Sequence, residues 1–198
     1  LILTKIIKYV LFINLIIFYN FIFYQKNRFD NFIIYLVSIF STLILFTIRD
    51  INILTGLRYF RGGGDGLLHY AYGREIVENL FNLNFYEALK GGETIFYFMP
   101  GLRYYSALNN LIFGETSYGY VILCSLIPVI IFKIISLFTN FKWAIVLLIS
   151  FIFLPIFENM GFGYFNYVWQ IARYHAEPFS IFLILVSIFI IFKNKNFI

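Results

Sequence analysis

The stretch from Tyr118 to Phe138, YGYVILCSLIPVIIFKIISLF, decides what kind of protein this is. A helix that crosses the hydrocarbon core of a bilayer needs about 20 mostly apolar residues. This run supplies them, with Pro128 inside it and Lys133 near its end. Outward from it, four further stretches have the same character: Ile6–Tyr24, Phe32–Ile48, Phe179–Phe192, and the shorter Trp143–Phe157, with Pro155 near its end. The expected fold class is therefore all-α, a multi-spanning transmembrane helical protein forming a single transmembrane domain over residues 1–198.

Composition agrees. Hydrophobic residues are 61% of the chain and charged residues 13%, against about a quarter charged in soluble domains. A small soluble fold has too much surface to hide that much apolar side chain. The net charge of +5 does not point to nucleic acid, because the basic residues are scattered and many flank apolar runs, where they anchor helices. Nucleic acid is thus set aside as a partner, and membrane lipid is expected. Cys124 is the one cysteine, so neither an internal disulfide nor a cysteine metal site can form. The chain begins with Leu1 and stops soon after an apolar run, which reads as an N-terminal fragment of a longer protein.

The connections between apolar runs divide into two kinds. Gln25–Asn31 and Thr139–Lys142 are short and basic, and the end of the chain carries Lys193 and Lys195. Short basic loops mark the cytoplasmic side. The opposite side then receives about 49–117 and Glu158–Pro178, which hold every acidic residue except Asp30. Any chemistry is expected there, facing outward from a bacterial plasma membrane. Lys5 and Lys8 would also lie outside, against the rule.

The large outer loop carries two helix signals. Asp65 stands where an N-cap would, after Arg61-Gly62-Gly63-Gly64. From Gly66 to about Leu83, Leu68, Tyr72, Ile76, Leu80 and Leu83 form a stripe at helical spacing, and Arg74 and Glu78 are an i,i+4 pair. The second signal starts at Pro100, suited to a first turn, and stops at Gly114. Such helices suit an interface, lying on the lipid surface.

Two clusters are candidates for chemistry. Asp65 sits between glycines that let a ligand approach the backbone closely, and His69 follows one turn later, so a carboxylate and an imidazole could share general-base work. The plain alternative is that Asp65 only caps the helix and the glycines only shape a turn. The second cluster is Trp169-Gln170-Ile171-Ala172-Arg173-Tyr174-His175-Ala176-Glu177-Pro178. Arg173 is suited to a lipid phosphate, because a guanidinium makes paired hydrogen bonds to phosphate oxygens. Glu177 is suited to orienting an acceptor, and His175 lies between them. The alternative is an interfacial aromatic belt. Arg103 is a further phosphate candidate, or it snorkels from an interfacial helix. Asp65, His69, His175 and Glu177 are the available donors for a divalent cation, but their spacing does not demand one.

Taken together, Gly63-Gly64-Asp65-Gly66-Leu67, Tyr72-Gly73-Arg74-Glu75-Ile76, Phe96-Tyr97-Phe98-Met99-Pro100-Gly101-Leu102-Arg103-Tyr104-Tyr105 and Leu111-Ile112-Phe113-Gly114-Glu115 resemble the GT-C glycosyltransferases. These multi-spanning enzymes include protein O-mannosyltransferases and aminoarabinose transferases. The resemblance covers roughly Arg49 to Phe192, with Tyr174, Glu177 and Pro178 placed like a later external turn of that core. It implies that Asp65 is the general base of an inverting transfer; His69, one turn on, stays the catalytic partner that the local sequence offers. The resemblance further implies a polyprenyl-phosphate sugar donor whose phosphate is bound by arginines near the membrane surface, for which Arg103 and Arg173 are the candidates; His175 and Glu177 remain substrate-binding candidates from the local sequence. Many relatives carry paired acids where this chain has Gly64 and Gly66 beside Asp65, so no resident cofactor is implied and a divalent cation stays open. A transporter would place ionisable residues in mid-helix, which these runs lack. A non-catalytic membrane scaffold would leave the outward clustering of acids without a use.

Overall fold

The computed structural model describes residues 28–49, 64–92, 101–154 and 163–194. The expected first span, the stretches Arg61–Gly63 and Phe96–Pro100, and Glu158 lie outside the described residues. For 28–31, 49, 64 and 65 the backbone alone is described. Among the described residues all regular structure is helical: α1 (Arg28–Arg49), α2 (Gly64–Phe81), α3 (Phe85–Lys90), α4 (Gly101–Phe113), α5 (Tyr118–Ile135), α6 (Phe141–Phe153), α7 (Tyr164–Ala172) and α8 (Glu177–Lys193). The chain forms two compact units, one of Leu1–Ile34 with His69–Thr116, the other of Tyr35–Leu68 with Ser117–Ile198.

In the first unit, α2, α3 and α4 close over a small core of Ile76, Ala88 and Ala107, with Val77 and Leu80 packed against it. Helices α2 and α4 approach closely because Gly73 faces Ser106; a Cβ at Gly73 would overlap the serine side chain. Helix α2 ends two residues short of the expected Leu83. The Leu83 N–H bonds the Leu80 carbonyl and the Asn84 N–H bonds the Asn79 carbonyl, a Schellman closure that normally uses glycine at its left-handed position. Here Leu83 takes that position at φ 60°. Its side chain therefore turns away from the stripe that continues to bury Ile76. Helix α3 was not expected from periodicity, since six residues are under two turns. Helix α4 stops where the sequence predicts, at Gly114 with φ 73°. The Arg74 ion pair is with Glu115, at 2.9 Å, rather than along the helix to Glu78, because the turn after Gly114 brings Glu115 back to α2. Both side chains are more than half exposed, so the pair contributes little.

In the second unit α5 is central and packs against α6, α7 and α8. It is the one helix among the described residues that is long and apolar enough to cross a membrane, with a mean hydropathy of 2.2. The apolar part of α1, Phe32–Ile48, and helix α6 fall short in length. Helix α6 starts on an Asn140 side chain that accepts from the Trp143 N–H. It ends before Leu154, whose extended backbone (φ −92°, ψ 128°) is the conformation a following proline, Pro155, imposes. Lys133 is buried at the last turn of α5, where a helix C-terminus favours a cation.

Pro128 interrupts the hydrogen-bond ladder of α5, since it has no N–H to offer the Cys124 carbonyl. That carbonyl instead accepts from the Tyr164 hydroxyl on α7, at 3.1 Å. The next carbonyl, Ser125, accepts from Ser38 Oγ on α1. Thr42 on α1 lies 2.5 Å from the Tyr164 hydroxyl. Three helices thus meet around one proline, each polar group matched, as an apolar surrounding requires.

Candidate functional site

Helix α7 carries the second cluster. Its buried face holds Tyr164, Tyr167, Val168 and Ile171, which leaves Trp169 and Gln170 at the margin. Burial, and then the nearby Cys124, pushes the Tyr164 phenol well above the ordinary tyrosine range. Burial raises Tyr167 also. Both hydroxyls hold their protons at neutral pH, and that of Tyr164 serves as a donor to the Cys124 carbonyl.

Beyond α7 the chain turns sharply. Tyr174 sits at φ 64°, a left-handed conformation that costs a non-glycine residue energy. Its ring is buried against Tyr120 of α5, with centroids 4.5 Å apart, and this packing compensates. The turn leaves Arg173 with its guanidinium 4.0 Å over the Trp169 ring. It also leaves His175 stacked near the same ring at 6.2 Å and 23°. His175 Nδ1 is 3.8 Å from the Glu177 carboxylate, close enough for electrostatic pairing but long for a hydrogen bond. Glu177 opens α8, where a negative charge meets the positive end of the helix dipole.

Helix α2 joins this cluster at its first turn. Gly66 is buried, and a Cβ there would overlap the Arg173 carbonyl oxygen and lie 3.4 Å from Tyr174 Cβ. The Arg173 carbonyl therefore abuts the amide end of α2, a favourable placement for a carbonyl dipole. Asp65 precedes Gly66 in that turn, so the backbone carrying the sequence-predicted base is adjacent to Arg173. The Asp65 side chain lies outside the described residues. The structure thus brings Asp65's backbone, Arg173, His175 and Glu177 into one neighbourhood from positions over a hundred residues apart in the chain. His69 follows one turn later on α2, in the first unit.

Arg103 is placed differently. It is 1% exposed, donates to the Gly91 carbonyl at 3.3 Å and stacks over Tyr72 at 4.2 Å. A phosphate cannot reach it without unpacking the first unit. Among the described residues no three His, Cys, Asp or Glu side chains form a metal-binding group.

The chain matches no protein-family model, no curated protein and no solved structure. Trp169 is the site residue whose role sequence reading understated. The signal was its spacing of four from Arg173, which puts a guanidinium and an indole on one helical face.

Proposed function

We propose that this chain is part of a multi-spanning membrane glycosyltransferase, with α1, α5, α6 and α8 as spans, that takes a sugar from a polyprenyl-phosphate donor on the outer side of the membrane. The observation that supports this reading is the contact of Gly66 with the Arg173 carbonyl, which brings the backbone at the start of α2, next to Asp65 in sequence, against the backbone of Arg173. The groups these two segments carry match the demands of the reaction. Asp65 accepts the proton of an acceptor hydroxyl as its oxygen bonds to the anomeric carbon. The bond from that carbon to the phosphate oxygen breaks, and polyprenyl phosphate leaves with the electron pair. Arg173 offsets the charge that develops on the departing phosphate. The indole of Trp169 offers a flat apolar surface to a sugar face, and in this scheme His175 and Glu177 hold the acceptor. The donor's apolar tail shares the bilayer with the spanning helices. Arg103 has no part in this scheme.

The test begins with native mass spectrometry of the protein purified in mild detergent with added polyprenyl-phosphate sugar. Retention of that lipid, lost in Arg173→Gln but kept in Asp65→Asn, supports the reading. Asparagine also caps helices well, so Asp65→Asn should fold and bind yet fail to transfer sugar in acceptor screens. Retention of bulk phospholipid alone, with the added donor in excess, overturns the reading and leaves a membrane scaffold in its place.

A further inference from the structure

The corner between α2 and α3 exposes a run of large apolar side chains that the first unit does not use. Phe81 is 59% exposed, Leu83 68%, Phe85 59%, Tyr86 70% and Leu89 66%. The core of that unit is built from other residues of the same helices, Ile76 and Ala88 with Val77 and Leu80. The exposed set is therefore additional to the fold and not a frayed edge of it. Leu83 makes the point most sharply. It occupies the left-handed position of a Schellman closure, where glycine or asparagine would avoid the strain, and it places a leucyl side chain in the open.

We infer that this corner is a lipid-inserting wedge, and that its occupant is the interfacial layer of the bilayer. Three observations favour lipid. The residue mixture is that of an interface: phenylalanine and leucine at the tip, then Tyr86 with Lys90 Nζ 4.6 Å over its ring, an aromatic and a cation suited to headgroup depth. Lys90 is held by Glu87 at 2.8 Å, a hydrogen bond that raises the lysine pKa above its ordinary value, so the cation persists at any physiological pH. Chain continuity is the third: α4 of this unit is followed after only Gly114–Ser117 by α5, the apolar helix of spanning length. The Asn109 side chain bonds the Thr116 carbonyl at 2.8 Å, so that short connection is itself fixed to α4. A bilayer crossed by α5 would therefore begin within a few residues of chain from this unit. The inference rests on the reading of the chain as membrane-embedded, and it does not depend on sugar transfer.

The test uses the full chain in liposomes of phosphatidylethanolamine and phosphatidylglycerol. An environment-sensitive fluorophore is attached through Leu83→Cys, Phe85→Cys, Glu78→Cys or Ile184→Cys, each in a separate preparation. The native Cys124 is fully buried and does not compete for the label. Labels at 83 and 85 are expected to emit at shorter wavelength, to lose most of their intensity to doxyl groups carried near the lipid headgroup, and to resist aqueous iodide. The label at 78 is expected to show the reverse. A water-like response at both 83 and 85 overturns the wedge. So does shielding from both quenchers, which would mean that protein, such as a second copy of the chain, covers the corner. The label at Ile184, on the exposed side of α8, separates the two readings. If deep-lying doxyl lipid quenches 184 but no lipid quencher reaches 83 and 85, the wedge alone fails. If 184 is not quenched either, the membrane reading fails with it.

Discussion

Tyr164 donates its hydroxyl to the one carbonyl of α5 that Pro128 cannot serve, that of Cys124. A buried carbonyl without a donor costs about 1–3 kcal/mol, so Tyr164→Phe should lower stability by that order. The cost is conditional on the proline. Pro128→Ala restores an N–H within α5, and the double variant Pro128→Ala with Tyr164→Phe should be more stable than Tyr164→Phe alone. Thermal unfolding in detergent of the two single variants and the double variant checks this. Simple additivity would show that the hydroxyl and the proline are not coupled.

The same phenol sets an alkaline limit. Its pKa in the folded protein lies well above the ordinary value, because burial disfavours the phenolate. The stabilisation from its neutral form is complete below the unfolded pKa of about 10. Above that pH the unfolded chain releases the proton while the folded chain retains it, so stability falls as pH rises. Wild type should therefore lose its advantage over Tyr164→Phe as pH is raised past about 10, measured as the difference between their melting temperatures. A difference independent of pH would mean that the phenol ionises freely in the folded state.

Gly66 and Gly114 make a controlled pair. At Gly66 the obstacle to a Cβ is backbone, the Arg173 carbonyl, and backbone does not yield as the end of a side chain does. Gly66→Ala should cost about 1–3 kcal/mol and should weaken donor-lipid retention as the α2 start is pushed from Arg173. Gly114 has open space around it and is constrained only by φ 73°. Gly114→Ala should cost about 1 kcal/mol and leave lipid retention unchanged. Equal effects of the two on retention would remove the Gly66 contact from the site.

What the sequence made legible is what local chemistry controls. The core of α2, the stop of α4 at Gly114 and the all-helical class follow from periodicity, turn residues and apolar run length, each contained within a few neighbouring positions. The short helix α3 escaped because six residues carry too little period to register. Helix α7 escaped because Tyr164–Ala172 reads equally as an aromatic connection. Two sites shared the same fate for a different reason. That Gly66 is a contact glycine, and that Arg74 pairs with Glu115, depend on segments that only the folded chain brings near. The candidate site was legible as two clusters on one predicted side of the membrane, Gly64-Asp65-Gly66 and Trp169–Glu177, but the contact that joins them, Gly66 on the Arg173 carbonyl, was not.

The two arginines offered as phosphate ligands should separate cleanly. Arg103 is enclosed, stacked on Tyr72 and bonded to the carbonyl of Gly91, the C-cap residue of α3. Arg103→Lys keeps the charge but loses the planar stack and the reach to Gly91, and should cost about 1.5–3 kcal/mol as a charged hydrogen bond is lost. Retention of the donor lipid by the fraction that remains folded should not change. Arg173, partly exposed over Trp169, stands in the opposite position. Arg173→Gln removes one cation–π contact, worth about 0.5–1 kcal/mol at such a site, so its melting temperature should move little while lipid retention falls. Measuring melting temperature and lipid retention on both variants decides between them. A large fall in retention from Arg103→Lys without loss of stability would return Arg103 to the binding site and require the first unit to open on binding.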